Sequence, residues 1–240
     1  MKQLKVIIPI ITLVTLVTAC EKRNTDIPQL TSVNIVNAVV NTSAIKVNTT
    51  GASLTYLTYT DSVKFGAAKL YSLNAGPEAP MSIFSTTDTI KPLFNAYLPL
   101  GAGEMYTLFF SGQFPQADTV WVREELNNYT DSLIGVRFIN LSPNSSSVKI
   151  NIKGNTTQNE VNSLGYKQIT SFKQYAAKSI NTNYPFEVRD VATNALLASF
   201  TLTYTRFHNH TLVIKGLAGL LPASMHSGFL PSIRIDRAMA

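Results

Sequence analysis

His208 and His210, two residues apart, are placed by type and spacing to share a task in this chain of 240 residues. Positions i and i+2 of a strand lie on one face, so both imidazoles could reach one metal ion. A metal site needs three or four ligands with supporting hydrogen bonds, and the third histidine, His226, stands in a loop flanked by Gly and Pro. The expectation is exposed turn residues and no metal or other cofactor. Glu124 and Glu125 are adjacent, so on a strand they point to opposite faces and cannot act together as acid and base. They are expected to end a strand and solvate a linker. Gly101-Ala102-Gly103 is too short to cradle phosphate, and no Gly-x-Ser-x-Gly is present. Nothing here makes a catalytic set, and the chain is expected not to be an enzyme.

Cys20 is the single cysteine, so it cannot close an internal disulfide. Ahead of it stand a basic head, Met1 to Lys5, and an apolar run of twelve residues, Val6 to Val17. That run is well short of the ~20 residues of a spanning helix and reads as a secretory leader. Val17-Thr18-Ala19-Cys20 resembles the lipobox of bacterial lipoproteins, which implies a signal peptide over residues 1–19 and acylation of Cys20. Several acyl chains, at about 0.8 kcal/mol per buried methylene, anchor stably where one would be marginal. Residues 20–30 form a polar tether, and Glu21 after the cysteine points by the same resemblance to the outer membrane, with either its periplasmic face or the cell surface open.

Aromatic side chains carry the binding expectation. Trp121 alternates with Val120 and Val122, taken as inward positions, and is expected to face outward or to pack against the other half of the chain. Tyr97 alternates with Leu98 in the same way, and Tyr56 and Tyr59 stand where the second half has only small polar residues. Exposed rings of this kind stack on sugars or anchor protein partners. Trp121, Tyr97, Tyr56 and Tyr59 are therefore the expected binding surface.

The elements that must position these groups are strands. Charged residues make up 14 % of the chain, which is rich in Thr, Ser, Asn, Val, Ile and Tyr. Without the leader it holds 18 basic and 14 acidic residues, a net of +4; residues 31–126 carry −2 and residues 136–240 carry +7. A basic second half would attract anionic lipid head groups or acidic glycans, although the same charge also serves solubility. Basic residues scattered along strands of an exported chain argue against nucleic acid.

The halves repeat. Val33, Ile35 and Asn37 match Val136, Phe138 and Asn140; Ile45 and Val47 match Val148 and Ile150. Val63 and Phe65 match Leu164 and Tyr166; Phe84 is paired with Val188 and Leu98 with Leu202. Thr107, Leu108, Phe110 and Gly112 match Thr211, Leu212, Ile214 and Gly216, and Thr119–Arg123 and Ser232–Asp236 are expected to close the two units. Short strands broken by Gly, Pro, Asn and Ser predict an all-β fold of two tandem antiparallel β-sandwiches, over residues 31–126 and 136–240, joined by a linker at 127–135.

Val136-Arg137-Phe138-Ile139-Asn140-Leu141-Ser142-Pro143 and Tyr106-Thr107-Leu108-Phe109-Phe110-Ser111-Gly112 resemble the signatures of envelope lipoproteins whose repeated β-sandwich belongs to a domain-of-unknown-function family. The first half departs from the pattern, with Asn34 in place of the arginine and no Ser-Pro after Ala38. The resemblance implies an extracytoplasmic, Ig-like architecture with no known chemistry. Asp61-Ser62-Val63, Asp88-Thr89-Ile90, Asp118-Thr119-Val120 and Asp131-Ser132-Leu133 resemble O-glycosylation acceptors of some bacteria and equally suit the start of a strand after a turn. The expected function is a non-catalytic, membrane-anchored binding module for a glycan, envelope component or protein, with a structural subunit of an envelope assembly as the alternative.

Overall fold

The computed structural model describes residues 28–52, 61–130, 132–155, 157–178 and 183–219, and throughout these the chain is β-structure and loops. Among the described residues no helix is long and apolar enough to cross a membrane. The first half supplies β1 (Leu30–Asn37), β2 (Ala44–Asn48), β3 (Ser62–Lys64), β4 (Ala68–Asn74), β5 (Gly76–Ser85), β6 (Phe94–Leu100), β7 (Met105–Ser111) and β8 (Asp118–Arg123). The second supplies β9 (Leu133–Asn140), β10 (Val148–Ile152), β11 (Val161–Leu164), β12 (Lys173–Ala176), β13 (Asn183–Asp190), β14 (Leu196–Thr203) and β15 (Asn209–Ile214).

The strand orders repeat. Sheets β4-β1-β7-β8 and β3-β2-β5-β6 of the first half correspond to β12-β9-β15 and β11-β10-β13-β14 of the second. All described ladders stay within their own half, and all are antiparallel except β1 with β7 and β9 with β15. Those two parallel pairs are a departure from the antiparallel expectation. They bring the first and seventh strands of each half side by side. The counterpart of β8, expected at Ser232–Asp236, lies outside the described residues.

Alternation fills each core. Val33, Ile35, Tyr106, Leu108 and Phe110 from one sheet meet Ile45, Val47, Val63, Met81, Ile83 and Leu100 from the other. Val136, Phe138, Leu212 and Ile214 likewise meet Val148, Ile150, Leu164, Phe186, Val188 and Leu202. Each half is thus two sheets face to face over one apolar layer, which is the sandwich arrangement.

One matched pair must be corrected. Val47 pairs with Ile83 as Ile150 pairs with Val188, so the equivalent of Val188 is Ile83 and not Phe84. Ile83 is fully buried in the core; Phe84 is half-buried on the opposite face. A slip of one residue on a strand exchanges the two faces, and here the two copies differ by one residue in the connection that follows, from β5 to β6 against β13 to β14.

The halves meet through the outer faces of the β1 and β9 sheets. Val36, Ala38 and Phe109 pack with Ile139, Leu141 and Val213, with Val120, Val122 and Leu126 at the margin. Val120 and Val122 therefore face the other half, not their own core. The linker is less polar in practice than in composition: Tyr129 is buried over Gly135, where a Cβ would come within 2.0 Å of the Tyr129 hydroxyl oxygen.

Candidate functional site

On the solvent face of the β10–β13 pair, alternation turns Val148, Ile150, Phe186 and Val188 inward and Lys149, Asn151, Glu187 and Arg189 outward. The register sets Lys149 opposite Arg189 and Asn151 opposite Glu187. Asn155 and Asn159 from the loop after β10, and Asn194 from the β13–β14 turn, close the sides of a cleft of about 200 Å³. Every lining residue is polar or charged, and four of the seven are asparagine.

The floor of this cleft is buried and ordered by its own hydrogen bonds. Asn151 is 5 % exposed and Glu187 8 %. Arg189 Nη2 and Nε donate to Glu187 Oε2 at 3.0 and 3.2 Å, and Arg189 Nη1 donates to Asn194 O at 3.1 Å. The Arg189 hydrogen bond holds the Glu187 carboxyl below the usual carboxylate range against the opposing effect of burial, with Asn151 and Lys153 adding to the lowering. Glu187 is therefore an ionised acceptor at neutral pH and a poor general acid.

Asn151 Nδ2 faces three acceptors, Ile152 O at 3.1 Å, Asn155 O at 3.3 Å and Glu187 Oε2 at 3.4 Å. That set fixes which end of the amide is nitrogen. It leaves Asn151 Oδ1, buried, with no donor among the described residues. A buried acceptor without a partner costs about 1–3 kcal/mol, which a ligand hydroxyl can remove.

The residues singled out from the sequence do not meet at one place. Trp121, on β8, turns into the first core and stacks on Tyr106 with ring centroids 4.7 Å apart and planes 19° apart. Its expected outward direction is reversed, because Val120 and Val122 are drawn to the face between the halves. Tyr97, on β6, is 71 % exposed and points out of the opposite sheet. Tyr56 and Tyr59, like Cys20 and His226, lie outside the described residues.

His210 is 2 % exposed on β15, at the position Tyr106 holds on β7, so the expectation of an exposed turn residue fails for it. Its ring lies 6.4 Å from that of His208, and among the described residues no group of three or more metal-ligating side chains forms. Glu124 does not solvate the linker: its side chain is fully buried in an ion pair with Arg137 at 2.6 Å.

The β10–β13 cleft was not singled out, yet the repeat contained its signal. Matching Ile45 and Val47 with Val148 and Ile150 sets Asn48 against Asn151 and Thr50 against Lys153. In the first half Asn48 Oδ1 accepts from Thr50 N at 3.1 Å and Thr50 Oγ1 at 2.8 Å. The second half has a lysine there, and its amide donates to Pro185 O instead.

No family model matches the chain, and no curated protein matches it. Among solved structures it is similar to the C-terminal domain of AlgF from P. aeruginosa, at 19 % identity over 40 % of this chain and 99 % of that one, with a TM-score of 0.29. It is also similar to CBMbc, a family CBM26 module from Eubacterium rectale Amy13K in complex with maltoheptaose, at 8 % identity over 78 % of this chain and 92 % of that one, with a TM-score of 0.25. At such scores neither likeness carries weight for fold or ligand.

Proposed function

We propose that this chain is a non-catalytic binding module of the bacterial envelope, held at the outer membrane by acyl chains on Cys20 and engaging a glycan through the β10–β13 cleft. The reading extends to the family resemblance, tandem sandwiches of a domain-of-unknown-function lipoprotein. The observation that carries it is the buried, donorless Asn151 Oδ1 in a wholly polar cleft. A ligand entering there must be polar over its whole surface and supply hydroxyl or N–H donors, which describes a sugar better than an apolar molecule. Glu187, tied to Arg189 in the same cleft, suits recognition and not proton transfer.

The test is retention of the purified protein on immobilised envelope polysaccharide. Wild type is expected to be retained and Asn151→Ala to pass through with its fold intact by circular dichroism; equal retention of both removes the cleft from the reading. Cys20→Ser is expected to move the protein from the membrane to the soluble fraction, and its staying with the membrane rejects the anchor.

A structural-subunit reading has its own support in Leu30 and Leu70, exposed by 55 % and 51 %, beside the open edge of β4. An open strand edge with apolar neighbours is a ready surface for another chain. In-cell cross-linking that yields a stoichiometric protein partner, together with no polysaccharide retention, favours it over the glycan reading.

A further inference from the structure

The two copies of the repeat act as an internal control on the cleft. Strand register gives Lys46 and Asn48 of β2 as the equivalents of Lys149 and Asn151, and Phe84 and Ser82 of β5 as those of Arg189 and Glu187. Both asparagines are 5 % exposed. Copy one satisfies its asparagine from its own loop, through Thr50; copy two substitutes Lys153 and leaves the acceptor open. It also replaces Ser82 and Phe84 by a carboxylate and a guanidinium. The strand frame is unchanged, so these differences are confined to what faces the cleft.

Charge gives the second clue. Lys149 stands directly opposite Arg189, and like charges at opposed positions of a ladder destabilise it. Arg189 is engaged with Glu187, whereas Lys149 has no partner among the described residues. Arg189 and Lys153 both act on Glu187 electrostatically, and Lys149 adds a further cation to the same cleft. The cleft therefore offers one acceptor that requires a donor and a surplus of positive charge that requires an anion. A bare carboxylate ion cannot satisfy the first, and a neutral sugar does not satisfy the second. The cleft, about 200 Å³ and open to solvent, has room for one sugar ring between these polar groups.

We propose that the cleft binds a single acidic sugar residue, whose hydroxyl donates to Asn151 Oδ1 and whose carboxylate or phosphate pairs with Lys149. This rests on the glycan reading above and names the class of sugar. Asn155, Asn159 and Asn194 at the rim supply further amide donors and acceptors for ring hydroxyls.

The experiment is isothermal titration of the full mature protein with methyl glycosides of glucose and galactose, their uronic acids and their 6-phosphates, with sodium acetate and sodium sulfate as ligands without hydroxyl donors. At least one acidic sugar is expected to bind about tenfold tighter than its neutral parent, the size of one charge-assisted hydrogen bond. Lys149→Ala should abolish that preference, bringing the acidic sugar to the affinity of its neutral parent. Lys153→Thr, which restores the hydroxyl of copy one, should weaken every sugar without lowering stability. The uronic acid and 6-phosphate arms identify which anionic group is preferred. Equal affinity for neutral and acidic sugars overturns the charge inference while the glycan reading stands. Acetate or sulfate binding as tightly as the acidic sugars overturns the hydroxyl contact. Unchanged affinity in Lys153→Thr places the site elsewhere, and absence of sugar binding in a protein still retained on polysaccharide overturns the proposal alone.

Discussion

Asn37 and Asn140 are the residues the duplication has kept for a physical reason. Asn37 Nδ2 donates to Val63 O at 3.0 Å and its Oδ1 accepts from Val39 N at 3.0 Å; Asn140 does the same with Leu164 O at 3.2 Å and Ser142 N at 3.0 Å. Both side chains are fully buried, and each ties the sheet of the first strand to the end of the third strand in the facing sheet. Their backbones are bound alike, since Asn37 O accepts from Gly66 N and Asn140 O from Lys167 N, both at 2.7 Å. Gly66 and Lys167 share a positive φ, 78° and 63°, so the second copy holds a lysine in a conformation that favours glycine. Replacing Asn140 by alanine strands a buried carbonyl and a buried amide. A loss of about 2–3 kcal/mol in urea unfolding is expected, with an unchanged m-value. Asn140→Asp should lose nearly as much, because the carboxylate cannot donate to Leu164 O; full stability in Asn140→Asp would show that the cross-sheet bond contributes nothing.

At the scale of strands, the register of β5 is the place where sequence and structure part. Ile83→Ala empties a fully buried site and is expected to cost about 2–5 kcal/mol, whereas Phe84→Ala at a half-buried site should cost about 1 kcal/mol. The reverse order of losses would restore the pairing of Phe84 with Val188. Elsewhere the alternation of Val33, Ile35 and Asn37 with Val136, Phe138 and Asn140 was sufficient to place β1 and β9, because period-two burial is a local property of a strand. Gly112 and Gly216, matched by sequence, share φ values of 89° and 91°. What could not be read was which of two apolar faces a strand turns to its own core. β8 has Trp121 on one face and Val120 and Val122 on the other, and both faces are covered, so alternation alone assigns neither. Buried charge is equally illegible: Glu124 looked like the end of an exposed strand because its partner, Arg137, arrives from the other half. The cleft was legible only as a difference between copies, at Thr50 against Lys153.

The whole molecule is organised by a contact between equivalent surfaces. Val36, Ala38 and Phe109 of the first half occupy the repeat positions of Ile139, Leu141 and Val213, which they pack against. The flanks are reciprocal too: Tyr166 shares a hydrogen bond with Ser111 at 2.9 Å, and Lys215 lies 4.8 Å over the ring of Phe65, where Phe65 and Tyr166, and Ser111 and Lys215, are repeat equivalents. Such self-complementarity is that of a two-fold dimer interface with the two subunits joined in one chain. The symmetry breaks at Arg137, whose counterpart is Asn34. Arg137 donates to Glu124 at 2.6 Å and to Thr211 at 2.8 Å, and its guanidinium lies 4.4 Å over Phe172. Both charged side chains are buried, at 6 % and 0 % exposure, and Glu124 Oε2 has no donor among the described residues. Desolvation of the two ions offsets most of their attraction, so the pair should fix how the halves are set against each other more than it adds to stability. Arg137→Ala leaves Glu124 charged and buried, with an expected loss of about 3–5 kcal/mol. Arg137→Met combined with Glu124→Leu should recover most of that loss in urea unfolding. A double variant as unstable as Arg137→Ala would mean that the ion pair itself, and not the stranded charge, holds the halves together.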